Sequence, residues 1–251
     1  MKRYSLIFCF YVVCFSCFAQ DETVQIKEAV NLERQLKDID ALSKYKEIAA
    51  ADPKNIMVLV KCAEISSNIG SRQTVIKDKQ TNYLDALNYA QQAFDVDSNS
   101  ADANYAMALV KGKMVELETE NKKILELQKE VKGYADKAVM LNPGNSRANY
   151  VEGRWHYEMV SLAWYKQAAT KFLHRSFPEA DIDSAIIYME KCRSLEQYFA
   201  ANYLELAKAY KFKNRPAQAI EVLNKLVKLP NRTPNDIAIK AEGQQILSVM
   251  Q

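Results

Sequence analysis

Two histidines and two cysteines, His156, His174, Cys62 and Cys192, hold most of this chain's potential for metal or nucleophilic chemistry outside its first 19 residues. Their spacing offers neither. No His-x-x-x-His or Cys-x-x-Cys pair is present, so the usual zinc-ligand geometries are missing. Six glycines in 251 residues leave no material for a phosphate-cradling loop, and no Gly-x-Ser-x-Gly elbow occurs. Aspartates and glutamates are plentiful but interleaved with lysines, the pattern of solvated helix faces. The expectation is a protein without catalytic residues, metal or cofactor. Binding chemistry is better supplied. Ala-Asn-Tyr recurs at 103–105 and 148–150, and Arg154, Tyr157, Lys208 and Lys211 follow at helical intervals. With Tyr105 and Tyr150 they form a candidate groove wall suited to an extended peptide, above all one carrying carboxylates. The competing expectation is that the tyrosines only pack between helices.

The elements that must position these residues emerge from counting. Small residues recur at Ala29, Ala63, Ala108, Gly153 and Ala207 on one set of helices (A). A second set (B) has Ala41, Ala86, Val131, Ala185 and Ala219. The A-to-B separations are 12, 23, 23, 32 and 12 residues, whereas every B-to-next-A separation is 22. A fixed joint with a variable hairpin is the signature of a helical-repeat array. The small positions are packing positions, where a larger Cβ would push helix axes apart. Tyr45 and Ile48, Met189 and Cys192, and Leu223 and Leu226 supply the inward faces of helices B, which makes Cys62 and Cys192 buried free thiols rather than a disulfide pair. Residues 115–130 and 157–172 lack Gly and Pro, so the insertions are expected to be helical, with helix A projecting past its neighbours. Residues 68–82 are expected to include a real loop. Thr233-Pro234 starts a final helix, with Ile239, Ile246, Val249 and Met250 as its apolar stripe. The expected repeats are about 22–55, 56–100, 101–145, 146–199 and 200–232, with a capping helix at 234–250, all within one domain at 20–251.

The first 19 residues read as an export signal. Lys2 and Arg3 precede an apolar run from Leu6 to Phe15, and Ala19 comes just before the polar Gln20-Asp21-Glu22. Its removal takes two positive charges from the formal +3 and leaves +1, too little for a nucleic-acid footprint. A periplasmic or envelope location is the expectation. Anchoring through an acylated Cys17 is an alternative, although of the Leu-small-small pattern before such a cysteine only Ser16 fits.

The array resembles tetratricopeptide proteins. More specifically, Gly153-Arg154-Trp155-His156-Tyr157, the following Leu162-Ala163-Trp164, the turn Phe177-Pro178-Glu179-Ala180 and Ala185-Ile186-Ile187-Tyr188 resemble the regulator-of-microtubule-dynamics family and its bacterial relatives. The similarity covers roughly residues 100–247. It implies an all-α fold: a right-handed superhelix (α-solenoid) of about five helical hairpins, three of them lengthened, closed by a C-terminal capping helix. It also implies a scaffold for protein association. The function expected is that of a non-catalytic exported scaffold with a protein or peptide partner in its concave groove. The alternative is a lipid-binding or lipid-transfer module with an apolar cavity between the long hairpins.

Overall fold

Four short joints set the architecture. Residues 52–55, 97–100, 142–145 and 196–199 each link one helix to the next in four residues. All four repeat the same two backbone bonds: the first residue's N–H closes the preceding helix, and the fourth donates to the first residue's carbonyl. In three of them the first residue, Asp52, Asp97 or Asn142, also accepts the N–H two residues on through its side chain, the local turn that Asp and Asn favour. Asn55, Ser100 and Asn145 then cap the following helices by accepting the N–H groups of Val58, Ala103 and Ala148. This shared geometry is why the B-to-A spacing does not vary.

The computed structural model describes residues 22–162 and 177–250. Residues 1–21, on which the expected export signal and Cys17 fall, and Trp164, Phe172 and His174 lie outside the described residues. So does most of the insertion expected in the fourth hairpin. The helices are α1 (22–34), α2 (Asp38–Ala51), α3 (Ile56–Ser71), α4 (Ile76–Val96), α5 (Ala101–Val115), α6 (Asn121–Leu141), α7 (Ser146–Ser161), α8 (Ile182–Leu195), α9 (Ala200–Phe212), α10 (Pro216–Leu226) and α11 (Asp236–Met250). The described residues contain no strand. Helices pack in the order of an α-solenoid. Odd-numbered helices α3 to α9 contact their own hairpin partner, the preceding even-numbered helix and the next odd-numbered one, and α11 covers α9 and α10.

The alanines at the ten marker positions are fully buried, Val131 is 3% exposed, and Gly153 is buried as well. A Cβ on Gly153 would stand 2.9 Å from the carbonyl oxygen of Ala185 and 2.8 Å from Cγ of Met189, so α7 and α8 cross at a distance that only glycine permits. Tyr45, Ile48, Met189, Cys192, Leu223 and Leu226 are all fully buried, and both cysteines are free thiols.

Two expectations need correction. Helix A does not carry the insertions of the second and third hairpins alone. Past its marker, α3 runs eight residues and α5 seven, against five for α1 and α9. By contrast, α4 and α6 begin ten residues before their markers, where α2 and α10 begin three before. Most of the added length is therefore helix B. Residues 68–82 do include the expected loop, at Arg72–Val75 with helix on both sides, and Tyr83 of α4 lies over Gly70 at the end of α3, where a Cβ would meet its ring at 2.7 Å. In α11 the inward face is Ile239, Gly243, Ile246, Leu247 and Met250, whereas Val249 is 81% exposed. The helix begins at Asp236, whose carboxylate accepts the N–H groups of Arg232 and Thr233 and the Thr233 hydroxyl.

The array also closes on itself. Asn235, just before α11, donates to the carbonyl of Asn68 (3.2 Å) and to Oγ of Ser71 (2.8 Å), and accepts from the Arg72 guanidinium. Arg72 is paired in turn with Asp38 at 2.6 Å. Residues 231–236 thus form a strap from the last repeat back to the second, across more than 160 residues of sequence.

Candidate functional site

The concave face is built from positions three before and one after the markers of the odd-numbered helices. On α5 these are Tyr105 and Leu109, and on α7 Tyr150 and Arg154. With Lys61 and Glu64 of α3, Lys113 of α5, Glu205 of α9 and the strap, they enclose a cavity of about 290 Å³. That is close to the lower bound for small-ligand sites. Of the six residues expected to line a groove, the structure brings Tyr105, Tyr150 and Arg154 together here. Tyr157, Lys208 and Lys211 are not part of this lining. Tyr157 packs edge-to-face on Phe212 with centroids 6.2 Å apart. Lys208 is tied to Glu205 (3.0 Å) and Glu242 (2.8 Å), both of which line the cavity, and Lys211 is exposed. The asparagines of the Ala-Asn-Tyr pairs were expected in the groove but are fully buried elsewhere. Asn104 donates to the carbonyls of Ser98 and Ser100, and Asn149 to those of Pro143 and Asn145, so both brace the joints. A third Ala-Asn-Tyr at 201–203 sits one residue further from its marker, and the Tyr203 hydroxyl donates to the Gln197 carbonyl instead.

The tyrosines pack and also face the cavity. Tyr105 is 3% exposed and its hydroxyl donates to Glu64 at 2.8 Å, while Glu64 and Glu33 flank Lys61 at 3.5 and 3.2 Å. Burial alone would raise the Glu64 carboxyl, but Lys61, Arg147 and the Tyr105 hydroxyl outweigh it and hold it below the ordinary value. Tyr150 lies edge-on to Phe199 (4.8 Å between centroids). Its phenol is pushed up to about 12 chiefly by burial, and no described group hydrogen-bonds its hydroxyl.

Two cations line the same cavity. Arg154 Nε donates to Glu158 at 2.6 Å and Lys113 to Glu116 at 2.9 Å, each along its own helix, which leaves further donors on both. Burial and then the Arg154 charge push the Lys113 ammonium down, the mark of two like charges sharing a dehydrated site. Tyr150, Arg154 and Lys113 together offer one hydroxyl and two cations to an anion. Arg147 stacks 3.7 Å over Phe199 and is bidentate to Glu196 (2.8 and 2.6 Å), so it is already satisfied.

Sequence reasoning missed Lys61, Glu64, Lys113, Arg147 and the strap. Glu64 was accessible to it, because it sits one residue after Ala63 as Arg154 does after Gly153. The other titratable cluster is structural in form. Glu152 (1% exposed) forms an ion pair with Lys132 at 2.9 Å and lies 3.2 Å from Nε2 of His156, neither contact being a well-aligned hydrogen bond. Nδ1 of His156 accepts the Asp181 N–H, and Trp155 donates to the Gln128 carbonyl. No group of three or more His, Cys, Asp or Glu suited to a metal occurs among the described residues.

Residues 25–251 match the family described as Regulator of microtubule dynamics protein 1-3. Regulator of microtubule dynamics protein 1 of Caenorhabditis elegans is 26% identical over 186 residues, 74% of this chain and 80% of its own length. The Mus musculus protein of the same name is 26% identical over 209 residues, 82% of this chain and 67% of its own length. A thermophilic TPR (tetratricopeptide) protein from Thermus thermophilus superposes with a TM-score of 0.65 at 12% identity, covering 90% of this chain and 99% of that one. At that identity the likeness establishes the shared fold.

Proposed function

This chain belongs to the regulator of microtubule dynamics protein 1-3 family, and from that premise we propose that it is a non-catalytic scaffold holding a carboxylate-bearing segment of a protein partner in its central cavity. The observation that carries the reading is a preformed cavity lined by Lys113, Arg154 and Tyr150, whose hydroxyl is bonded by no described group. A carboxylate placed there gains charge-assisted hydrogen bonds without rearranging the wall. The charged lining favours a peptide over a lipid tail, which needs an apolar cavity.

The leader supports action in the periplasm or envelope, so the relatives' name-giving link to microtubules is not carried over. Intact mass of the purified protein tests the leader: a chain beginning at Met1 would overturn the export reading.

Fluorescence anisotropy with a labelled peptide ending in two glutamates, and its glutamine counterpart, tests the site. The glutamate peptide should bind at least about tenfold more tightly, and Arg154→Ala should remove about tenfold or more of that affinity, the loss of one charged hydrogen-bonding partner. Equal affinity for both peptides, or indifference to Arg154→Ala, would sink the reading. So would a lipid retained in native mass spectrometry and displaced from this cavity by the same substitution.

A further inference from the structure

His156 of α7 is buried where the turn at residues 177–181 leads into α8. Its Nδ1 accepts the backbone N–H of Asp181 at 3.1 Å. An accepting ring nitrogen carries no proton, so the proton of the neutral imidazole is on Nε2. That nitrogen lies 3.2 Å from Oε1 of Glu152, one helical turn earlier. Tyr188 of α8 lies parallel to the ring with centroids 6.0 Å apart, and Trp155 stands edge-on at 5.2 Å.

The bond to Asp181 exists only while Nδ1 is bare. A second proton on the ring would set two donors face to face, and the turn would lose its acceptor. The same proton would give the buried Glu152 carboxylate a full countercharge on its own helix. The charged groups around the ring pull in both directions. Glu152 faces it from α7 and the Asp181 carboxylate from the turn, and both draw a proton in. Burial opposes them, as does Lys132 of α6, which holds the same Glu152 oxygen at 2.9 Å and is also paired with Asp136. Lys213, which follows α9, is paired with Asp183 and acts on Asp181 as well. The Asp181 carboxylate caps α8 by accepting the Ser184 N–H at 2.7 Å and its hydroxyl at 3.0 Å. It therefore keeps the helix start in place whether or not the Asp181 N–H is bonded.

We propose that His156 is a pH-responsive latch. Unprotonated, it fastens residues 177–181 to α7; protonated, it pairs with Glu152 alone and releases the turn. The sign follows from proton counting. The released form holds a proton at Nδ1 that the fastened form cannot, so acid favours release and higher pH favours fastening. Histidine is the side chain whose charge ordinarily changes between about pH 5 and 8. The latch stands independently of the carboxylate-binding reading of the cavity.

Amide exchange of the full chain at about pH 7.5 and about pH 5, corrected for the intrinsic pH dependence of exchange, reads the Asp181 N–H directly. Its protection should fall about tenfold in acid, the loss of one hydrogen bond, while α9 and α10 keep theirs. In His156→Asn an amide oxygen near the place of Nδ1 can still accept but takes up no proton, so protection should be equal at the two values. Nitrogen-15 spectra of the imidazole, assigned with His174→Asn, test the same point without altering His156. At about pH 7.5 the proton should be on Nε2, and the ring should titrate with the midpoint at which Asp181 loses protection. Equal Asp181 protection in the parent at both values overturns the latch. So does a ring proton on Nδ1 at the higher pH, or a pH dependence that survives His156→Asn.

Discussion

Replacing Gly153 with alanine sets two known effects against each other, and the structure decides the sign. Alanine in a helix interior is favoured over glycine by about 1 kcal/mol. At Gly153, however, the new methyl would sit 2.9 Å from the Ala185 carbonyl oxygen and 3.1 Å from the Met189 nitrogen, both backbone atoms of α8. Met189 Cγ, at 2.8 Å, can swing away, but a helix backbone cannot move without opening the α7–α8 interface. Overpacking of this kind costs about 1–3 kcal/mol. Set against the propensity gain, and with the backbone clash near the top of that range, the net expectation is a loss of about 1–2 kcal/mol. For a chain of this size that lowers the melting temperature by roughly 2–8 °C.

Gly112 and Gly133 supply the internal control, because a Cβ at either meets no atom within 4 Å. Gly112→Ala and Gly133→Ala should therefore stabilise by about 0.5–1 kcal/mol. Thermal and urea melts followed by helical circular dichroism would place the three variants on one scale. Gly153→Leu extends the series and should fall furthest. The reasoning is refuted if Gly153→Ala matches or exceeds the parent while the two controls rise, since the α7–α8 crossing would then have room that the packing register denies.

Asn235→Ala removes two donated hydrogen bonds and one accepted from Arg72. At about 1 kcal/mol each, it should cost residues 231–236 and the end of α3 at least about tenfold in amide-exchange protection, with α5–α7 unchanged; unaltered exchange would mean that the strap does not hold the ring shut. The depressed Glu64 carboxyl contributes stability that is complete above its unfolded value of about 4.3 and is lost as pH falls through the lower folded value. Glu64→Gln should therefore flatten the decline of melting temperature below about pH 4.3, and identical acid limbs would dismiss the cluster as a source of stability. Lys132→Met strands the buried Glu152 carboxylate and should cost about 3 kcal/mol or more, most of it recovered by adding Glu152→Gln. If the double variant is no more stable than the single one, the ion pair is not what Lys132 contributes.

The uneven legibility of this chain follows from the range of each interaction. The joints were readable because everything that shapes them lies within a few residues: Asp52, Asp97 and Asn142 build the same local turn, and its fixed length appears as the constant 22-residue spacing. The division of the inserted length was not readable. Strong helix formers lie on both sides of Glu116–Glu120, and the turn is marked by the backbone bonds of Glu116, Leu117 and Glu118 to the residue three before and by the bonds from the Thr119 and Glu120 N–H groups to the Glu118 carboxylate. Asn104 and Asn149 resembled groove residues because their neighbours Tyr105 and Tyr150 are, but an asparagine amide within reach of the preceding turn's carbonyls bonds there first. The register therefore brought Tyr105, Tyr150 and Arg154 to the cavity, and failed for Tyr157 and Lys208, which have local partners in Phe212 and Glu205.

The strap lies beyond any such reading. Whether Asn235 reaches Asn68 and Ser71 depends on the rotation accumulated over all the intervening hairpins, each contributing a small angle that no short window of sequence encodes. Yet that contact crosses the concave face and brings residues 232–236 to the cavity wall, where Lys113 feels both burial and the charge of Arg154. Helix-by-helix patterning thus determines which side chains face inward. Closure over the whole array determines how dry their surroundings are, and so how strongly a cation such as Lys113 can bind an anion.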